Sequence, residues 1–298
     1  MASRKRRFLA GGTGILFIIL LLLLLLLEQY GLVNWRSEHA IAPAEGELAV
    51  HFIDVGQGDA ILIQAPGKSV LIDGGPRDAA SDLTGYLRRG GITRLDLVIS
   101  THPHEDHIGG LPAVLEAFSV GEVIDPAVPH TTQTFEQYLA LIEANKITFT
   151  AARSGLTRDL GGGALLRLLH PAAPDPEADL NNCSVVARLS FGKISFLFTG
   201  DIESLAEREI LQRERHLATT ILKVAHHGSK TSTDPLFLDA VSPAVAVICY
   251  GENQYGLPHP DTLDNLAKAG AVVYSTAQNG TIRLLTDGHT YTVHTERS

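Results

Sequence analysis

The sequence predicts an α/β fold in which two sheets pack face to face with helices on the outside. Three observations lead there. From Leu48 onward, short β-like runs alternate with amphipathic helical segments. Beyond about residue 183 the style repeats, giving two strand-rich halves, each followed by helices. Runs such as Leu95–Ser100 ("LDLVIS") are almost continuously apolar, the mark of a strand covered on both faces. A sheet covered on both faces needs a layer over each, and 298 residues suffice for that architecture.

The first strands come early in the chain. "LAVHFIDV" (48–55) and "DAILIQA" (59–65) are β-like and flank the turn "GQG". "KSVLIDGG" (68–75) is a further strand that ends in a tight turn. Leu83, Tyr86 and Leu87 share one face of a helix over 78–89, and "IGGLPAVLEAF" (108–118) opens another. Phe135, Leu139 and Ile142 recur at i, i+4 and i+7, a half-buried helix over 132–145. In the second half, "CSVVARLS" and "KISFLFTGD" are strands joined through Phe191-Gly192, and "IESLAEREILQRE" is helical. "TTILKVA", "AVAVICY" and "AVVYST" are strands, and "DTLDNLAKAG" is a helix that stops at Gly270. The last segment, 281–294, is a hairpin turning at Asp287-Gly288.

The first 30 residues are different material. Arg4, Lys5, Arg6 and Arg7 precede an uncharged run from Phe8 to Leu27. At 1.5 Å per residue such a run spans about 30 Å, the hydrocarbon thickness of a bilayer. A transmembrane anchor over residues 1–30 is expected, followed by a polar linker over 31–47. The basic flank keeps the N-terminus in the cytoplasm and puts the remainder outside the cytoplasmic membrane. The competing reading is a cleaved signal peptide, whose apolar region is normally about 7–15 residues with a small-residue cleavage site close behind. Here the nearest small-x-small triplet, Ala40–Ala42, lies well downstream.

Composition narrows the partners. The net charge is −9, and the four N-terminal cations mask part of the acidity of the remaining chain. No general attraction to nucleic acid results, so a polyanionic substrate needs a local positive site. Aromatic residues make up 6 %, and no basic–aromatic interleaved stretch stands out. Cys183 and Cys249 allow a single disulfide, but the apolar setting of Cys249 favours two buried thiols.

The chemistry is concentrated in "STHPHEDHIGG" (100–110). His102, His104, Asp106 and His107 crowd a loop that leaves an interior strand, and imidazole nitrogen with carboxylate oxygen suits Zn²⁺, Mn²⁺ or Fe. Three more strands end in the same punctuation: "VLIDGG" at Asp73, "FLFTGD" at Asp201, and "LKVAHHGS" at His226 and His227. In α/β folds ligand groups gather at strand ends. Each acid alone reads as a turn former; four such endings together read as one site.

Those four motifs together resemble the metallo-β-lactamase superfamily. "HFIDVGQGDAILIQ", "NNCSVVARL" and "LKVAHHGSKTST" resemble more closely its ComEC-type branch, the soluble hydrolase domain of DNA-uptake proteins and their stand-alone relatives. The resemblance covers roughly 48–285. It implies a four-layer αββα sandwich over 48–298, preceded here by the single transmembrane helix, with two divalent metal ions, Zn²⁺ or Mn²⁺, between the sheets and no organic cofactor. By the same resemblance His102 and His104 hold the first ion. Asp106, His107 and His227 hold the second, with His226 as the alternative to His227. Asp201 bridges the two, and Asp73 acts one shell out. His259 stands where the wider superfamily places a histidine near substrate, and the other reading is a turn residue between prolines. One departure is visible: where the superfamily supplies a third histidine to the first ion, this chain has Asn181-Asn182. Asn182 could reach the ion through its amide oxygen, or water fills the place. His170, in "LHP", reads as structural.

The expected reaction is hydrolysis by water activated between the two ions, with Asp106 orienting that water. Ser229 and Lys230 are candidate phosphate contacts or a solvated turn. The loop with Gln57 and Asp59 offers backbone N–H groups to an anion. The ComEC-like branch favours a phosphodiester, single-stranded DNA first. A lactonase or β-lactamase-type hydrolase is the second class, and a non-catalytic nucleic-acid-binding module the third.

Overall fold

A computed structural model describes residues 42–298. The expected anchor and residues 31–41 of the expected linker lie outside the described residues.

Two sheets form the body. The first has eight strands in the order β15-β14-β1-β2-β3-β4-β5-β6: β1 is Leu48–Phe52, β2 Ile61–Gln64, β3 Ser69–Ile72, β4 Arg94–Ile99, β5 Ser119–Asp125, β6 Thr148–Ala151, β14 Ile282–Thr286 and β15 Tyr291–Thr295. The second has seven, ordered β13-β12-β11-β10-β9-β8-β7: β7 is Thr157–Gly161, β8 Ala164–His170, β9 Val186–Phe191, β10 Ile194–Phe198, β11 Ile221–Lys223, β12 Val245–Ile248 and β13 Val272–Ser275. The helices are α1 (Ala80–Arg89), α2 (Glu105–Ile108), α3 (Leu111–Ala117), α4 (Gln133–Ala144), α5 (Ser204–Arg213), α6 (Pro235–Val241), α7 (Pro260–Lys268) and α8 (Thr276–Asn279).

Side-chain alternation explains the layers. Leu48, Val50 and Phe52 of β1, with Ile61 and Ile63 of β2, face inward onto Leu166, Leu189, Phe196 and Phe198 of the second sheet. The opposite face of the first sheet presents Leu62, Leu71, Val98 and Val123 to Leu83, Leu87, Leu111, Val114, Phe135 and Tyr138 of α1, α3 and α4. The second sheet turns Val186, Leu197, Leu222 and Ala246 outward to Ala206, Ile210, Phe237, Val241 and Leu266 of α5, α6 and α7. The result is the expected α, β, β, α sequence of layers. Caps fix where these helices begin: Thr132 accepts from Phe135 N, and Asp234 accepts from Leu236 N just ahead of Pro235.

The strands add to the sequence reading, which assigned the hairpin to neither sheet and did not mark β5 (Ser119–Asp125). The C-terminal hairpin is present as expected, and its first strand, β14, joins the first sheet, antiparallel to β1, with Leu48 opposite Thr286 and Phe52 opposite Ile282. Between residues 146 and 182 the apolar pattern marks no strand, yet β6, β7 and β8 lie there. β6 and β7 are edge strands with mostly exposed or half-buried residues, so they lack the apolar run that marks an interior strand.

Register positions the chemistry. β3, β4 and β5 run parallel with Ile72, Ile99 and Ile124 in line, so Asp73, Ser100 and Asp125 begin their loops at one edge. In the second sheet β10, β11 and β12 are parallel with Phe198, Lys223 and Val247 in line. The loops leaving these strands carry the clustered motifs.

Candidate metal centre

The turn after β4 delivers His102, His104, Asp106 and His107, the last two from the single turn α2. Gly58 explains how the turn after β1 reaches them. A Cβ there would fall 2.2 Å from the Asp106 carbonyl oxygen, and φ is +139°. Glycine lets the two backbones touch, and Asp59 N donates to that carbonyl (3.1 Å). The loop after β11 is strained: His226 and His227 both adopt left-handed backbone, φ 50° and 52°. Asp73 does the same at φ 58°. Such conformations cost on the order of 1 kcal/mol or more each and persist where surrounding contacts enforce them.

Asp201 Oδ2 is the hub. It lies 3.2 Å from His107 Nε2, 3.3 Å from His227 Nε2, 3.9 Å from His102 Nε2 and 4.0 Å from His226 Nε2. His227 Nε2 is 3.2 Å from Asp106 Oδ2 and 3.3 Å from His107 Nε2, and His102 Nε2 is 3.0 Å from His104 Nδ1. Among the described residues three sets of donor atoms close to cation-binding size, and two of them involve these atoms, His102–His107–Asp201 and Asp106–His107–His227; the third, Asp59–Asp73–His107, is fully buried. His227 rather than His226 enters them; the His226 ring turns Nδ1 toward Glu203 Oε1 at 3.4 Å.

A surrounding shell sets which ring nitrogen faces inward. Asp73 accepts from His107 Nδ1 (2.8 Å), from the Thr101 hydroxyl (2.7 Å) and from Thr101 N (2.7 Å). With its proton committed to Asp73, Thr101 Oγ1 accepts from His102 Nδ1 (3.1 Å). His227 Nδ1 donates to the Cys249 carbonyl (2.8 Å). All three rings therefore turn Nε2 to the centre, which orients imidazoles for a cation.

Electrostatics fit the same use. Burial opposes charge on His107, but Asp201 and Asp73 outweigh it and hold its pKa well above 6.5. His227 is raised to about 10: burial acts against it and Asp201 and Asp106 prevail. Asp201 is also opposed by burial and is held well below the carboxylate range by His227 and His107. Imidazole nitrogens facing one another around a carboxylate need a positive charge between them, supplied by protons or by cations. Asp201 Oδ1 is buried and has no hydrogen-bond partner among the described residues. Nitrogen and oxygen donors, orienting partners and an acid-rich centre fit divalent metal ions.

The cluster opens into a cavity of about 700 Å³ whose walls include Gln57, His104, Asp106, Ser229, Tyr255 and Leu257. Gln57 and Ser229 line this cavity, although Gln57 Oε1 also accepts from Gly251 N (3.4 Å) and Ser229 Oγ is 3.0 Å from Thr231 Oγ1. Four expectations are corrected. Asp59 does not face substrate: it is 1 % exposed and ion-paired with Lys223 beneath the cluster. Lys230 is exposed and is not among the residues that line the cavity. His259 does not join the cluster; its Nδ1 accepts from Asp261 N (3.2 Å), so the ring caps α7. Asn182 offers no oxygen to a cation, because Oδ1 accepts from Glu203 N (3.1 Å) and Ala206 N (3.3 Å) at the start of α5. Asn182→Ala is therefore expected to cost about 1 kcal/mol in urea unfolding, the worth of a lost cap, while bound-metal stoichiometry by elemental analysis stays that of the parent. A fall in stoichiometry would restore the ligand role. His170 is structural as expected, bonded to the Asn182 carbonyl (2.8 Å) and Arg213 (3.1 Å). Both cysteines are free and buried.

Sequence reasoning missed Lys223. It is 1 % exposed, ion-paired with Asp59, donates to the Gly200 carbonyl (3.0 Å) and stands 3.7 Å from Asp201 Oδ1. Burial disfavours its charge, yet Asp59 and Asp201 raise its pKa above the ordinary lysine value. The only signal is a lysine inside the apolar run "TTILKVA".

Comparison with known proteins agrees with this architecture. Residues 53–252 match the description "Metallo-beta-lactamase superfamily". The chain is 33 % identical to ComE operon protein 3 of Bacillus subtilis over 80 % of its own length, and 32 % identical to Recombination protein 2 of Haemophilus influenzae over 79 %. It spans 33 % and 28 % of those proteins, about a third of their length. Among solved structures, Igni18, a metallo hydrolase from Ignicoccus hospitalis, superposes with a TM-score of 0.51 at 18 % identity, covering 79 % of this chain and 98 % of that one, a likeness of fold. With two sheets, flanking helices and the His-x-His-x-Asp-His turn at their edge, the chain belongs to the metallo-β-lactamase superfamily of metal-dependent hydrolases and is related to competence proteins, among them Competence protein ComA of Neisseria gonorrhoeae, 28 % identical over 85 % of this chain and 34 % of that protein.

Proposed function

We propose that this chain hydrolyses phosphodiester bonds, with single-stranded DNA as the leading substrate. The observation that carries the reading is the pair of donor sets sharing His107 at the floor of an open cavity, with Asp201 at the hub. His102, His104 and Asp201 would hold one divalent cation, and Asp106, His107, His227 and Asp201 the other. Such ions supply Lewis acidity, acidifying water and neutralising charge on the phosphoryl oxygens.

The chain's own residues do the rest. Asp73, Thr101 and the Cys249 carbonyl hold three imidazoles in one tautomer. Asp106 is the member of the second donor set that remains partly exposed to the cavity, with its pKa lowered despite burial because His107 and His227 stand beside it. It can accept a hydrogen bond from water in the cavity and orient it. Kinship with competence proteins favours a nucleic-acid phosphodiester over a lactone or a β-lactam.

The test is a substrate panel for the full chain supplied with Mn²⁺ or Zn²⁺. Hydrolysis of bis(p-nitrophenyl) phosphate is expected, and Asp106→Ala should lower it by about 10²–10⁴-fold, the range for a positioned acid–base group. Turnover of nitrocefin or a lactone with none of phosphodiesters would move the assignment to the second class. Binding of DNA without turnover in either metal would leave a binding module.

A further inference from the structure

We propose that Tyr255 is a stacking platform for one unpaired nucleobase, so that the substrate is a single strand gripped by one phosphate at the cluster and one base on this ring. The inference rests on the phosphodiester reading above and deepens it.

Tyr255 is 79 % exposed. Among the large hydrophobic side chains left exposed in the described residues, it is the one that lines the cavity holding Asp106, Asp201, His226 and His227. An aromatic ring in water at a loop tip gains nothing for folding. The loop beneath it is nevertheless braced. The Asn253 side chain accepts from Tyr255 N (3.1 Å) and Leu257 N (3.1 Å), and donates to the carbonyls of Gly251 (2.9 Å) and Leu257 (3.0 Å). At one end of the loop Gly251 lies against the Gly56–Gln57 backbone so closely that a Cβ would sit 2.4 Å from Gly56 C. At the other end His259 N donates to the Gly228 carbonyl, next to the histidine turn (2.8 Å). The backbone that carries the ring is thus tied to the histidine turn on one side and to the Gly56–Gln57 turn on the other. A rigid aromatic loses little freedom when a flat partner settles on it.

Charge points the same way. The residues lining the cavity include Glu105, Asp106 and Asp201 but no lysine or arginine. The chain as a whole carries −9. Within the cavity a strand meets no lysine or arginine side chain, which favours an uncharged contact for whatever part of the strand lies there. Stacking on an aromatic face is that contact, and it accepts any base.

The test is fluorescence anisotropy with the full chain and Mn²⁺, using two labelled eight-residue phosphorothioate strands, one of thymidines and one abasic. The parent is expected to bind the thymidine strand on the order of ten-fold more tightly. Tyr255→Ala should erase that preference, and Tyr255→Phe should keep it. The slope of log affinity against log salt should be no steeper than about −1, since few phosphates are neutralised by side chains. Retention of the preference in Tyr255→Ala, equal affinity of the parent for both strands, or a slope near −3 overturns the proposal. Hydrolysis of bis(p-nitrophenyl) phosphate decides the underlying reading separately. If that ester is cleaved while the base preference is absent, the stacking platform alone is lost. If no phosphodiester is cleaved, the reading under it is lost.

Discussion

Asp201→Asn is expected to release at least one equivalent of bound metal and to lower hydrolysis on the order of 10³-fold or more, the scale for removing a principal group of a reaction centre. The carboxylate is the hub around which four imidazoles gather, at 3.2 to 4.0 Å from Oδ2. The amide has the same shape but carries no charge, so it neither holds a cation between His107 and His227 nor attracts one. Because the replacement is isosteric, the two sheets should form as before, and circular dichroism separates loss of metal from loss of fold. Elemental analysis and steady-state rates check the prediction together. Two equivalents of metal with activity within ten-fold of the parent would contradict it.

Lys223→Met is expected to cost about 3–5 kcal/mol of stability, the penalty for leaving one member of a buried ion pair unpartnered. Methionine matches the length of the lysine stem, so the loss reports charge rather than volume. Asp59 would then lie buried beneath the cluster without its cation, and Gly200 would lose a donor to its carbonyl. The double variant Asp59→Asn, Lys223→Met removes the stranded charge and should recover much of the loss. Urea unfolding of the metal-free chains measures both. A single-variant loss under about 1 kcal/mol, or no recovery in the double, would mean that the pair is not what holds this floor together.

The candidate centre is legible where chemistry and chain position coincide. His102, His104, Asp106 and His107 fall within six residues, and Asp73, Asp201, His226 and His227 each end an apolar strand. Sequence does not reveal which groups the fold assigns to support. Asp59 and Lys223 lie on strands or loops far apart in the chain, and only the packing of the two sheets brings them together. Asn182 and His259 are polar residues at plausible positions, yet both are consumed by helix starts, a local demand that competes for the same atoms. Many of the outer-face helices and interior strands follow from periodicity, but the interior strands β5 and β8 do not. Chain order does not show which sheet takes the C-terminal hairpin; β1 has an edge of backbone N–H and C=O groups to satisfy, and β14 fills it.

That pairing has a consequence for how the molecule is made. Asp54 N and Thr281 Oγ1 are hydrogen-bonded across 227 residues. At ribosomal speeds of roughly 5–20 residues per second, about 10–45 s elapse between the appearance of the first strand and of the partner that completes its ladder. During that interval one edge of β1, apolar but for His51, keeps its backbone groups unpaired. The ladder on that side of β1 therefore closes late, after the strands of both sheets that lie between β1 and β14 in the chain have been made.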